Sequence, residues 1–342
     1  MSKVLIIRLS AIGDVAMIIP VVYSVAEDNP QDTFTVLTQS VVKPLFINPP
    51  SNVTVIGVNS ETTAKTFSGF FSFAWKLRSH HFDLVIDLHD VIRSWMVDYI
   101  FWLSGKPVFV INKRRKESKR LTARPPKVIY KLQPVIDRYA DVFKDAGFKF
   151  DIRFTSLFEK KPVDEAVIKA MNCEKTGRWI GIAPFARHNG KVYPIEKMEK
   201  VIACLSAWER VTVFLFGGRG EEWTILNRWE HTYKNTINTV GRFSIDMELS
   251  LMNRLDVLVS MDSANMHLAS LVGTKVVSIW GATHPFAGFY GYRQQEAFIV
   301  HQELPCRPCS VYGSKPCYRN DYACLMQIEP EKIIAKIEEA IQ

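Results

Sequence analysis

The feature that constrains this chain most is an alternation, kept from one end to the other, of short Val/Ile-rich runs with amphipathic helical segments. In the first half, Val4–Leu9, Thr33–Thr38, Val53–Val58, Asp83–Leu88 and Val108–Ile111 read as strands. Between and after them, Val15–Glu27, Lys65–His80, Val91–Ser104 and Pro134–Ala146 read as helices. The second half repeats the plan. Its strands are Trp179–Phe185, Val211–Gly217, Ile237–Val240, Val257–Met261 and Val276–Trp280; its helices are Pro194–Trp208, Glu221–Tyr233, Ile245–Asn253, Ser263–Val272 and Pro330–Ile341. A strand that is apolar on both faces needs cover on both, and a helix after each strand supplies it. The pattern therefore predicts an α/β chain of parallel sheets. Two such sets predict two doubly wound, Rossmann-like domains, 1–160 and 161–328, followed by a C-terminal helix, 329–342. The polar stretch Glu159–Lys175 breaks the alternation near the join. A length of 342 residues suits two domains better than one.

A hydrophobic fraction of 47% and a charged fraction of 23% exclude a disordered or fibrous chain. No uncharged apolar run reaches the ~18 residues of a spanning helix. Val15–Ala26 comes nearest and contains Pro20. The first strand follows the N-terminus directly, with Arg8 inside it and no cleavage-site pattern, so a cytoplasmic chain without a secretory signal is expected. In that compartment disulfides would not persist. Cys173 and Cys204 are isolated, and a buried thiol is the simple expectation for both. Cys306, Cys309, Cys317 and Cys324 cluster, with spacing compatible either with a structural zinc site or with reduced, packed thiols.

The formal charge is +8, and nearly all of it sits in one place. Between Lys113 and Lys127 eight basic residues face only Glu117. Such a segment expects an anionic partner: a phosphorylated substrate, an acidic membrane surface or nucleic acid.

Ligands of open α/β sheets bind beyond the carboxyl ends of the strands, so the strand-to-helix turns carry the most information. The first, Arg8-Leu9-Ser10-Ala11-Ile12-Gly13-Asp14, has one glycine rather than the three of a dinucleotide fingerprint, and no P-loop lysine. NAD binding and P-loop ATP hydrolysis thereby lose their main support. Gly13 suits a positive φ or the close approach of a ligand. Asp14 reads either as a general base for an attacking hydroxyl or as a helix N-cap, and spacing alone favours the cap.

In the second half, Val257–Met261 ends in Asp262-Ser263 and a helix follows at once through Ala264 to His267. The free N–H groups of such a helix start suit a diphosphate, with the Ser263 hydroxyl as a further donor. For His267, packing is the default. Trp280-Gly281-Ala282-Thr283-His284-Pro285 supplies another backbone nest, and Lys191, in a polar loop, is a point charge for phosphate or simple surface. Glu221 and Glu222 follow a glycine turn, as a ribose acceptor or as acids favouring a helix's first turn.

Taken together, Arg8–Asp14 with Pro20, Asp87-Leu88 with Arg93-Ser94, Lys191, Gly217–Glu222, Asp262–His267 and Gly281–Pro285 occur in an order that resembles the ADP-heptose:lipopolysaccharide heptosyltransferases, glycosyltransferase family 9. The resemblance spans nearly the whole chain. It implies a GT-B fold, with two Rossmann-like domains facing a central cleft, the acceptor bound by the first and the nucleotide-sugar by the second. It also implies an inverting transfer that needs no catalytic metal, at the inner face of the cytoplasmic membrane. Carried over by position, Asp14 is the catalytic base. Lys191, Asp262, Ser263, Ala264, His267 and Gly281 serve the diphosphate, and Glu221 or Glu222 the ribose. Gly13, Arg93, Arg120 and Arg124 are the candidates for an anionic, lipid-linked saccharide acceptor. The chain departs from the family in having Ala264 where glycine is usual, a residue that would be strained if the cradle needed a positive φ there. The competing expectations are a GT-B transferase or epimerase for another nucleotide-sugar, and a non-catalytic nucleic-acid-binding protein. The second lacks any recognisable motif and leaves both turns unused, so no nucleic-acid partner is expected.

Overall fold

A computed structural model describes residues 1–59, 62, 65–163, 165, 169 and 175–342; Cys173 lies outside them. The chain forms two compact units, Met1–Lys113 with Pro134–Leu157, and Arg114–Gln133 with Phe158–Gln342. The basic segment falls within residues 1–160 by sequence, but from Arg114 onward it clusters with the second unit.

The first unit is a five-stranded parallel sheet of β1 (Lys3–Ile7), β2 (Thr33–Gln39), β3 (Val53–Val58), β4 (Leu84–Asp87) and β5 (Val108–Val110), in the order β3-β2-β1-β4-β5. Helix α1 (Ile12–Asp28) follows β1, and its buried residues run unbroken from Val15 to Ala26. Helices α2 (Phe67–Lys76) and α3 (Ile92–Leu103) share one core with the sheet, in which Phe70, Ala74, Val97 and Phe101 meet Leu5 and Ile7. Thr66 caps the start of α2 by accepting the Gly69 N–H at 3.0 Å.

The second unit contributes the short basic helix α4 (Arg115–Leu121), which the alternation pattern did not predict; α5 (Val135–Asp145) belongs to the first unit. Its six-stranded parallel sheet comprises β6 (Arg178–Ala183), β7 (Val211–Leu215), β8 (Thr236–Asn238), β9 (Val257–Met261), β10 (Val276–Trp280) and β11 (Ile299–His301), in the order β11-β10-β9-β6-β7-β8. Helices α6 (Ile195–Ser206), α7 (Glu221–Thr232), α8 (Ile245–Arg254) and α9 (Ala264–Leu271) connect the strands, and α10 (Ala323–Met326) and α11 (Pro330–Ile341) close the unit. Ile333, Ile337 and Ala340 of α11 are buried in the same core as Ile180 and Val259. That helix is therefore packed into the second sheet's cover rather than appended to it.

In both sheets the strand order reverses beside the first strand, between β1 and β4 and between β6 and β9. These are the topological switch points where open α/β sheets hold ligands.

Candidate functional site

The first switch point is organised by a buried arginine. Ile7 pairs with Asp87, so the chain leaves β1 and β4 side by side. Arg8 uses its fork there: Nη1 donates to the Leu88 carbonyl at 2.6 Å, and Nη2 pairs with Asp14 Oδ2 at 2.6 Å. The arginine side chain is 8% exposed and the aspartate side chain 26%. Asp14 is not the N-cap that spacing favoured. Ala11 occupies that position, and Asp14, three residues on, accepts the Ala11 N–H at 3.3 Å. The helix starts one residue before Gly13, which does not adopt the positive φ its place in the turn suggested.

Below this turn Asp87 fixes the neighbouring loop. Its Oδ1 accepts the His89 and Asp90 N–H groups at 2.7 and 3.0 Å, and Oδ2 accepts the Ser94 hydroxyl at 2.6 Å. Asp98 lies alongside; burial and the Asp87 charge hold its carboxyl well above the ordinary range, protonated at neutral pH. Burial, then Arg8 and Lys113, push His89 down to about 3, so it is neutral, and its Nδ1 accepts the Leu9 N–H at 3.4 Å. Arg93 is exposed on the first turn of α3.

The second switch point carries the mirror arrangement. Asp262 follows β9 and is ion-paired to Lys191, Nζ to Oδ2 at 2.8 Å, with side-chain exposures of 5% and 15%. Ser263 is the N-cap of α9, its hydroxyl 3.2 Å from that of Ser260 rather than on the helix's own amides. Ala264 is an ordinary first helical residue, without positive φ, so the departure from glycine costs no strain. His267 is buried in the same short helix.

Gly281 has a steric cause. A Cβ there would lie 2.5 Å from the Gly190 carbonyl and 2.6 Å from Leu325 Cγ. The Ala282 N–H donates to that same carbonyl at 2.7 Å, tying the Lys191 loop to the turn after β10. Gly313, at φ +74, leaves room for the aliphatic stem of Lys191. Glu222 bends back so that Oε2 accepts the Gly218 N–H at 2.6 Å, while Glu221 is exposed at the start of α7.

The basic segment is not a bare loop. Leu121 and Leu132 are buried with Ala287, and the Leu132 N–H donates to the Phe286 carbonyl at 2.8 Å. Lys127 donates to the Cys306 and Pro308 carbonyls, and Arg124 stacks on Tyr318 at 5.2 Å. Arg120 is exposed on α4.

The loop it meets is held by Arg307. This residue is 1% exposed and donates to the carbonyls of Trp280, Gly281, Thr283 and Gln302. Nothing in the sequence singled it out, because a lone arginine between two cysteines has no distinguishing period or spacing.

Cys306, Cys309, Cys317 and Cys324 are free thiols around that loop. Burial raises Cys309 and takes Cys324 to about 11. Sulfurs on one tetrahedral zinc, ~2.3 Å from the metal, sit roughly 4 Å apart. Among the described residues no three of these thiols lie within 4.8 Å of one another.

His284, His301 and Glu303 do gather that tightly. Burial and Arg307 hold both imidazoles neutral, His284 at about 3. The His284 Nδ1 accepts the Phe286 N–H at 3.1 Å, which leaves the ring proton on Nε2, the atom facing Glu303 at 4.0 Å. A metal would need a lone pair at that position.

Two doubly wound parallel sheets, each with a polar turn at its switch point, are the architecture of the GT-B fold. The model of glycosyltransferase family 9 (heptosyltransferase) matches residues 70–317, and the chain belongs to that family. Lipooligosaccharide heptosyltransferase 2 of Campylobacter jejuni is 24% identical over 333 residues, covering 96% of this chain and 95% of the relative. Lipopolysaccharide heptosyltransferase 3 of Escherichia coli is 22% identical, covering 79% and 81%. Among solved structures, the ADP-heptose lipopolysaccharide heptosyltransferase II of E. coli superposes with a TM-score of 0.70 at 16% identity, covering 99% and 98%. An E. coli heptosyltransferase with ADP-2-deoxy-2-fluoro heptose gives 0.68 at 17%, covering 98% and 99%.

Proposed function

We propose that this glycosyltransferase moves a heptose from ADP-heptose onto a lipid-linked inner-core saccharide, working peripherally at the inner face of the cytoplasmic membrane. The observation that carries the reading is the pairing at the two switch points: a carboxylate held by Arg8 in the first unit, and a lysine held by Asp262 beside the start of α9 in the second. In this reading Asp14 accepts the proton of the acceptor hydroxyl as its oxygen bonds to the anomeric carbon. The bond from that carbon to the diphosphate breaks, and ADP departs with the electron pair, which inverts the centre. Lys191, Ser263 and the amides of Ala264 and its neighbours receive the charge that develops on the diphosphate, with His267 and Gly281 completing the wall.

Glu222 is the ribose acceptor in this scheme, since the Gly218 N–H fixes one of its oxygens over the glycine turn. Gly13, Arg93, Arg120 and Arg124 are assigned to the anionic acceptor. No metal enters the transfer, and the cysteines act as reduced thiols packed behind the Gly281 turn. About one equivalent of zinc in protein purified without chelator would reverse that last assignment. Among the described residues no helix is long and apolar enough to cross a membrane. The deciding experiment for the donor is thermal stabilisation by ADP and ADP-heptose against UDP and GDP. Equal shifts with all the nucleotides would remove the case for an adenine donor.

A further inference from the structure

The inner faces of α2 and α3 are buried against the first sheet, but their outer faces are unusual. On α2, Phe67, Phe71 and Trp75 recur at intervals of four and stand in solvent, as do Trp95, Tyr99 and Trp102 on α3. Trp75 is 51% exposed and Trp102 is 64% exposed. The two helices pack on each other, and the aromatics stack along each helix, Phe71 on Trp75 and Tyr99 on Trp102. Six large aromatics on adjoining helices far exceed the scattered apolar exposure that an ordinary surface tolerates.

The surrounding charge is mainly basic, although Asp90 accepts the Trp95 indole N–H at 2.9 Å. Helix α2 has no acidic residue, and α3 has only Asp98, whose carboxyl leans on Asp87. At their C-terminal ends the helices flank a cavity of about 620 Å³ whose lining includes Trp75, Lys76, Arg78, His81, Ser104 and Lys106. Arg78 lies over the Trp75 ring at 4.4 Å, and only Asp83, paired with Lys106, supplies a negative charge there.

We propose that this α2–α3 face is the surface by which the chain docks on an anionic phospholipid bilayer. The inference rests on the reading above that the acceptor is lipid-linked. Trp and Tyr prefer the headgroup level of a bilayer, where a ring is buried and its polar edge stays wet. Lys76 and Arg78 then meet lipid phosphates, and no spanning segment is needed. A second copy of this chain would bring the same cations against each other, so charge complementarity selects the membrane.

The test is co-sedimentation of the full chain with phosphatidylcholine vesicles, with and without phosphatidylglycerol. Wild type is expected to bind the anionic vesicles preferentially, and to lose that preference as salt rises. Trp75→Ser with Trp102→Ser should lower the partition coefficient by about tenfold or more. Lys76→Glu with Arg78→Glu should abolish the phosphatidylglycerol preference while leaving the aromatics intact. Transfer to a water-soluble, delipidated acceptor should be unchanged in both variants, which also shows that they are folded. Vesicle binding equal to wild type in the tryptophan variant would overturn the proposal. So would a wild-type dimer that this variant dissociates. Loss of all transfer by wild type, with anionic vesicle binding intact, would sink the functional reading and leave the docking surface standing.

Discussion

Lys191→Ala tests the proposed donor site, and the structure changes what it should do. A lysine treated as an isolated phosphate contact would cost rate and almost no stability. Lys191 is instead the ion-pair partner of a 5%-exposed carboxylate, at 2.8 Å. Deleting one member of a buried pair leaves an uncompensated charge, at a cost of about 3–5 kcal/mol. At roughly 2–4 °C per kcal/mol for a domain of this size, the melting temperature should fall on the order of 10 °C. Turnover should fall as well, by ~10²–10³, if the ammonium stabilises charge on the departing diphosphate. The two effects separate in the double variant Lys191→Met with Asp262→Asn. It removes both charges at once, so it should regain most of the stability and none of the turnover. Thermal melts read the first quantity and acceptor-dependent release of ADP the second. Recovery of turnover in the double variant would refute the assignment of Lys191 to catalysis. A single variant melting within about 1 °C of wild type would refute the buried-pair argument.

Asp14→Asn keeps the shape of the first turn and removes the proton acceptor; transfer should be lost while ADP still raises the melting temperature, and near-normal turnover would exclude the base assignment. Glu222→Gln should raise KM for the nucleotide-sugar more than it lowers kcat, whereas Glu221→Gln should do neither; the reverse ranking in steady-state kinetics would move the ribose contact to Glu221. Gly281→Ala drives a methyl against the Gly190 carbonyl, so denaturant melts should show a loss of about 1–3 kcal/mol, and an unchanged midpoint would rule out the steric reading. Asp98 is protonated in the folded state and ionised in the unfolded one at neutral pH, so wild-type stability should fall as pH rises from the carboxylate range into the alkaline. Asp98→Asn should flatten that limb of the pH–stability curve, and an identical limb in both proteins would show that Asp98 titrates normally.

The sheets were legible because their signal is local: a doubly covered strand has to be apolar throughout, and each strand-like run down to β10 lies within a few residues of an observed strand. What escaped notice has three residues and one ladder neighbour in β11, or four residues in α10, too short for any period to register. Helix α4 was obscured by its own charge: Arg115–Leu121 presents one buried residue, Leu121, and its anchor, Leu132, lies beyond a run of prolines. The candidate turns were legible as positions but not as partnerships. Arg8 stood out in an apolar strand, yet its link to Leu88 spans 80 residues, and the Lys191–Asp262 pair spans 71; separations of that size exist only once the sheets have formed.

Those partnerships also decide which member of each pair stays open to solvent. At the first turn the cation is sealed, at 8% exposure, and spends its second amino group on the Leu88 carbonyl, while the carboxylate keeps 26% of its surface open. At the second turn the exposures reverse: Asp262 is the sealed member and Lys191 the more open one. A sealed charge has no route to a substrate, but it fixes the position and ionisation of its partner and excludes the competing pairings a mobile side chain would sample. The chain thus presents an anchored anion at one switch point and an anchored cation at the other. These are the two signs that removing a proton from a hydroxyl and receiving charge on a diphosphate require.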